Sequence, residues 1–151
     1  MRTLKFTTSD KNQLQFASAV RKNVNDYFKE RGISPAANFA MVLQTLVMLA
    51  LYIVPFVLIL AVPMSPWVAL PLTVIMGIGT AGIGMCVMHD AVHGSYSRKP
   101  WVNKLFGSSM YLLGANVFNW KVQHNILHHT NTNIDGFDHD IDSKGPIRLS
   151  F

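Results

Sequence analysis

A chain of 151 residues is long enough for one domain and too short for several. Half of it is hydrophobic and only 14% is charged, and no Asp, Glu, Lys, Arg or His occurs from Gly32 through Met88, a gap that excludes an ordinary soluble domain and marks a membrane protein. The net charge of +5 is no sign of nucleic-acid binding: Arg2, Lys5, Lys11, Arg21, Lys22, Lys29 and Arg31 precede the apolar region against Asp10, Asp26 and Glu30, the positive-inside pattern that puts the N-terminus in the cytoplasm.

Residues 1–31 are polar. Asp10 is placed to cap a helix, with Gln13 three residues on, and Phe16, Val20, Val24 and Phe28 then repeat every four residues. This predicts an amphipathic helix that either lies on the cytoplasmic membrane surface, with Arg21, Lys22 and Lys29 toward anionic head groups, or packs on its own protein. No apolar core closely follows the first charges, as a secretory signal would require.

Residues 38–62 and 67–88 are each long and apolar enough to span a bilayer. Val62-Pro-Met-Ser-Pro66 between them reads as a tight turn, giving a transmembrane hairpin that returns His89 to the cytoplasmic side. Pro55 is placed to kink the first span. Gly77, Gly79, Gly82 and Gly84, with Ala81, narrow one side of the second and suit close helix packing. Cys86 reads as a small packed residue; as the single cysteine it excludes an internal disulfide and a Cys-rich metal site. Gly94-Ser-Tyr-Ser97 reads as a turn, and Arg98, Lys99 and Lys104 as a basic patch facing lipid. Residues 105–118 are apolar but too short to cross easily, so they are read as an interfacial or re-entrant segment. Asn116 or Asn119 then caps a helix carrying Trp120 to His129. Residues 134–151, with Asp135, Asp138, His139, Asp140 and Asp142, read as a polar loop without the glycine and terminal glutamate of an EF-hand.

Five of the six histidines fall into two clusters, His89 with His93 and His124 with His128 and His129. Spacing of i, i+4 separates two imidazoles by about 6 Å along an α-helix and roughly 40° around it, so both reach one ion or two adjacent ions, and His129, roughly 100° further round, reaches a second metal. Imidazole-rich ligation suits zinc, copper, nickel or iron. A zinc protease needs Glu after the first histidine, where Asp90 stands, and leaves the second cluster unexplained. Axial ligands of a b-type haem belong within a span, whereas these lie at and beyond its end. Water-satisfied interfacial histidines remain a bland alternative, less suited to two helical clusters than to one lone residue. An oxygen-activating iron site at the cytoplasmic mouth of a helix bundle, acting on an acyl chain, is the reading that uses both clusters.

The residues also carry a family resemblance. His89-Asp-Ala-Val-His93 resembles the first histidine box of the integral-membrane fatty acid desaturases, and His124-x-x-x-His128-His129 resembles the second. Met88-His-Asp-Ala-Val-His-Gly-Ser-Tyr-Ser97, Trp101-Val-Asn-Lys104, Phe118-Asn-Trp-Lys-Val-Gln-His124 and His128-His-Thr-Asn-Thr-Asn133 extend the likeness to bacterial acyl-CoA or acyl-lipid desaturases of the front-end type. The resemblance implies an all-α integral membrane fold in the bacterial inner membrane: an N-terminal amphipathic helix, a transmembrane hairpin, an interfacial helix and a cytoplasmic histidine-box helix. It implies two irons on His89, His93, His124, His128 and His129, dioxygen as co-substrate, and an acyl-CoA or acyl-lipid substrate. Asp90 is implied as an acceptor that orients a ligand imidazole, and Trp120 and Asn125 as weaker neighbours of the site, better read as packing and helix surface.

The family's third box, H-x-x-H-H or Q-x-x-H-H after a second pair of spans, has no counterpart, and His139 lacks a partner in sequence. The chain is therefore expected to be the N-terminal part of such an enzyme, inactive alone. The His-Pro-Gly-Gly signature of a fused cytochrome is also absent, so electrons are expected from a separate ferredoxin or b-type cytochrome. Two other readings remain: a membrane hydroxylase or ketolase with the same boxes, and a non-catalytic remnant that binds metal or lipid.

Overall fold

The computed structural model describes residues 10–134, 136–138, 140 and 141. Regular structure among them is entirely helical, and the chain divides after Pro35 into two compact units.

The first unit is built on α1 (Lys11–Glu30), capped by the Asp10 carboxylate, which accepts from the Asn12 amide at 2.8 Å. Lys22 and Asp26 pair at 2.7 Å one turn apart, which places them on the polar side. Phe16, Val20 and Val24 are exposed along the other. Gly32 at φ 61 closes the helix in the left-handed conformation that glycine adopts without strain.

The second unit opens with α2 (Phe39–Ala61), where the Asn38 side chain accepts from the Met41 amide at 3.0 Å. Val62 leaves the helix in an extended conformation, and Pro66, at the first helical position, starts α3 (Pro66–Val92). These two helices pack against each other as the expected hairpin. Both are long and apolar enough to span a bilayer, and only 11% and 17% of their apolar windows are buried, whereas a soluble core helix would be mostly enclosed. Phe39, Leu60 and Trp67 stand 82%, 72% and 84% exposed, an apolar girdle suited to lipid or further helices.

Two of the four glycines make the helix contact. A Cβ on Gly79 would sit 2.6 Å from the Tyr52 backbone nitrogen, and Gly82 faces the Met48 side chain. Gly77 has open space, and Gly84 only an ordinary contact with Leu113. The expectation of one narrow face across all four is thus corrected: only the pair three residues apart turns toward α2.

The helix that carries the second expected span, 67–88, runs on past Met88. The helix does not stop there but switches to i→i+5 π-type bonding over Ile83–Met88 and resumes α geometry over His89–Val92. Ile83, Val87, Met88 and Ala91 from this stretch form the buried core with Tyr96 and Met110. The 94–97 turn therefore does more than reverse the chain. Tyr96 is buried, its hydroxyl 2.9 Å from that of Thr45, and its carbonyl accepts from the Ala37 amide at 3.0 Å.

The apolar stretch 105–118 is not one interfacial helix. α4 (Pro100–Gly107) tightens into a 3₁₀ turn over Ser108–Leu113, and Gly114 at φ 74 ends it. Asn116 then accepts from the amides of Phe118 and Asn119, and this choice of cap starts α5, residues 117–131.

Candidate metal centre

α3 delivers the first box and α5 the second. The His89 and His93 rings lie 4.5 Å apart, and His124 comes within 5.2 and 5.3 Å of them. Ligand atoms of these three residues all fall within 4.8 Å of one another. His129 joins from the side, 4.9 Å from both His93 and His124, and His128 lies 5.0 Å from His124.

The position of His129 departs from the α-helical expectation for a physical reason. Lys121–His128 is π-helical, and i→i+5 bonding makes residues five apart neighbours along the axis. His124 and His129 are therefore brought onto one face, where an α-helix would set them well apart in azimuth. Both boxes lie on or immediately after a π segment.

Carboxylates occupy the far nitrogens of three rings. His89 Nδ1 meets Asp90 at 3.1 Å, His124 Nδ1 meets Asp140 at 2.5 Å, and His128 Nδ1 lies 2.9 Å from both oxygens of Asp138. When Nδ1–H is donated to a carboxylate, the tautomer is fixed and the Nε2 lone pair is left for a cation. His124, His128 and Asp140 also form a close group of possible ligand atoms. Those short distances belong to the Nδ1 contacts, so we read this group as a hydrogen-bond network rather than a second ion site.

Asp138 is the best-held of the three acids. It is 1% exposed, and besides His128 it accepts from the backbone amides of Asn133 at 2.9 Å and Asp140 at 3.1 Å. Burial pushes its carboxyl up, but the His128 hydrogen bond and the two amides outweigh that and hold it below the usual carboxylate range. Asn133 at φ 63 supplies the turn that aims one amide, a conformation asparagine tolerates better than most residues. Asp140 is in turn held by the Gln123 side-chain amide at 3.2 Å.

Trp120 stacks on His124 at 4.3 Å and stands edge-on to His89 at 5.6 Å and His93 at 5.5 Å. Its indole thus walls the imidazole group. Asn125 carries a buried side-chain oxygen without a partner, so it is not simply helix surface.

The donor set fits a cation. His93 Nε2 and His124 Nε2 are buried with no hydrogen-bond partner, an arrangement that costs free energy unless an electron-pair acceptor sits between them. His93 is also shifted toward its neutral, ligating form, first by burial and then by the neighbouring imidazoles of His89, His129 and His124.

The expected residues His89, His93, His124, His128, His129 and Asp90 therefore meet at one end of the fold. His139 lies outside the described residues, as do Asp135 and Asp142. Asp138, Asp140 and Gln123 were not singled out from the sequence. Their signal is the alternation Asp138-x-Asp140 close after a histidine box, where a loop can fold back onto the rings.

A family model for fatty acid desaturases matches residues 65–150. The chain is 35% identical over 135 residues to an sn-1 linoleoyl-lipid 6-desaturase of Arthrospira platensis, covering 89% of the chain and 37% of that relative. It is 34% identical over 138 residues to an acyl-lipid (8-3)-desaturase of Physcomitrium patens, covering 91% of the chain and 29% of the relative. An sn-1 linoleoyl-lipid 6-desaturase of Synechocystis matches at 33% over 135 residues, 89% of the chain and 38% of the relative. The chain thus spans less than two-fifths of the length of each of these relatives. No solved structure matches it significantly. With both histidine clusters inside a family match that covers more than half of its residues, the chain belongs to the fatty acid desaturase family.

Proposed function

We propose that this chain carries part of the catalytic centre of an oxygen-dependent membrane desaturase that introduces a double bond into the acyl chain of a lipid. The observation that carries the reading is the pair of buried, unpartnered Nε2 atoms of His93 and His124 inside a ring of imidazoles. Two irons are the cofactor proposed, with His89, His93, His124, His128 and His129 as ligands. Desaturation removes two hydrogens from adjacent methylenes, and iron, when bound, would supply the chemistry by which dioxygen takes up those two hydrogens together with two external electrons and two protons to give two waters.

The protein's own residues prepare the site. Asp90, Asp138 and Asp140 hold the Nδ1 protons of His89, His128 and His124 and so turn each Nε2 toward the metal position. Trp120 covers one side of the cluster and keeps water from it. The apolar surface of α2 and α3 offers an acyl chain a path to the histidines without leaving hydrocarbon. The relatives' names specify acyl-lipid substrates, which favours an acyl-lipid over an acyl-CoA here. Electrons come from a separate ferredoxin or b-type cytochrome. The N-terminus and both histidine clusters lie on the cytoplasmic face, with α1 along the membrane surface through Phe16, Val20 and Val24.

The test joins this chain to the part of the Arthrospira relative that it does not match and expresses the product in a host lacking that desaturation. Iron near two per molecule and new double bonds are expected, and His93→Ala or His124→Ala loses both. Hydroxylated acyl chains in place of unsaturated ones favour the hydroxylase reading. A product without iron and with unchanged lipids leaves the boxes as a relic.

A further inference from the structure

A concavity lies beside the turn of α3 that carries the first box. It has a volume of about 480 Å³, and the residues lining it include Arg98, Lys104, Lys121, Ser97, Ser108 and Tyr111. Ala91 and Val92 close its inner side. At about 100° per residue Ala91 stands roughly 160° and Val92 roughly 60° from His89 by the shorter way round, so their common direction is turned aside from that of the imidazoles.

Among the described residues no carboxylate lines this space and none is within ion-pair distance of its three cations. Three like charges around one hollow repel unless an anion lies between them. A planar guanidinium fork, two ammonium groups and the hydroxyls of Ser97 and Tyr111 form a donor set matched to phosphate oxygens, while Ser108 donates its own proton to the Leu105 carbonyl at 2.6 Å.

The hollow is braced. Asn103 accepts from the Ser97 amide at 2.8 Å and donates to the Ser97 and Gly94 carbonyls at 2.7 and 3.1 Å. The turn before Arg98 is thereby fixed to α4.

Depth and chemistry select the source of the phosphate. Ala91 and Val92 end the helix Pro66–Val92 just beyond its apolar run, which sets the cations at the level where hydrocarbon gives way to head groups. A free ion would leave Ala91, Val92, Pro100 and Val117 of the lining unmatched, whereas a lipid presents phosphate and apolar glycerol ester together.

We propose that this pocket binds the phosphate group of a membrane phospholipid, with Arg98, Lys104 and Lys121 as its charge partners and Ser97 and Tyr111 as hydroxyl donors. The site does not depend on iron or on the desaturase reading, since every group in it lies off the histidine cluster.

The experiment is native mass spectrometry of the chain in alkyl maltoside micelles with short-chain phosphatidic acid, the diacylglycerol of the same chains, or inorganic phosphate. One retained phosphatidic acid is expected, with no retained diacylglycerol and no displacement by a hundredfold excess of inorganic phosphate. Arg98→Gln, Lys104→Gln and Lys121→Gln together weaken retention at least about tenfold, while Lys11→Gln, Arg21→Gln and Lys29→Gln together leave it unchanged. A second variant that keeps every charge, Ser97→Ala with Tyr111→Phe, weakens it severalfold and guards against misfolding of the first. Equal retention of diacylglycerol, displacement by equimolar phosphate, or equal loss in the α1 variant overturns the proposal. So does unchanged retention in either pocket variant.

Discussion

The hairpin and the histidine-bearing end of this chain are held by different physics. Along α2 and the first turns of α3 most side chains are apolar and many of the large ones are exposed, and the helix contact is fixed by Gly79 and Gly82. At the other end the apolar core is small, and carboxylates, amides and imidazoles specify one another at hydrogen-bond distance. In lipid an apolar surface gains little by choosing one apolar neighbour over another, so shape alone sets the hairpin. Among the imidazoles a displaced partner leaves a buried polar atom unpaired, so the network resists small shifts.

The comparison is most sharply tested at a backbone contact. Gly79→Val places a Cβ 2.6 Å from the Tyr52 nitrogen, and a backbone atom cannot rotate away. The helices must part, at a cost of about 3 kcal/mol, the upper end for overpacking. Gly77→Ala, with nothing within 4 Å of its new methyl, stabilises the helix by about 0.5–1 kcal/mol. Steric-trap unfolding in bicelles measures both. Equal effects would mean that the glycines act through helix propensity and not through contact.

The network is tested at Asp138. Asp138→Asn keeps the volume but removes the charge that takes the His128 Nδ1 proton. Iron affinity is expected to fall about 10- to 100-fold, as for other residues that orient a ligand imidazole. The same variant has a pH signature. Because the folded carboxyl is held below its usual range, Asp138 stabilises the fold above the unfolded carboxylate pKa of about 4, and this contribution is lost as pH falls through the lower folded value. The wild type therefore loses stability on acidification over that window, and Asp138→Asn loses less. Parallel acid titrations of the two proteins by near-ultraviolet circular dichroism decide it.

How much was legible in the residues follows the same division. The hairpin is read nearly to its ends because hydropathy, Asn38 and Pro66 mark it, and the histidine clusters are read because i, i+4 spacing is a pattern along the chain. The two π segments are not legible: i→i+5 and i→i+4 bonding use the same residue types, and the choice is made by what the turn packs against. For this reason the spacing alone sets His129 beside a second metal, whereas the π segment brings it onto the face of His124. Asp138 and Asp140 look like loop polarity because their partners, His128 and His124, lie on a preceding helix that only the fold brings back. Likewise nothing in the glycine run distinguishes Gly79 from Gly77 until the neighbouring helix is in place.

The smallest expected effect lies where the two regions are joined to α5. Asn116 is extended, and its carboxamide oxygen accepts from the amides of Phe118 and Asn119 at 2.8 and 3.3 Å. Asn116→Ala leaves those first-turn donors to water and costs about 1 kcal/mol. The loss is local, since the turns that carry His124 and His128 are tied independently to Asp140 and Asp138. Hydrogen exchange is expected to quicken at residues 117–120 by roughly fivefold, the rate equivalent of about 1 kcal/mol of local opening, while residues 124–129 and iron affinity hold. If exchange quickened equally through residue 129, the carboxylate contacts would not be independent anchors. The cap would then set the azimuth of the second histidine cluster, and the difference drawn between a shape-held hairpin and a bond-held site would have to include the helix start.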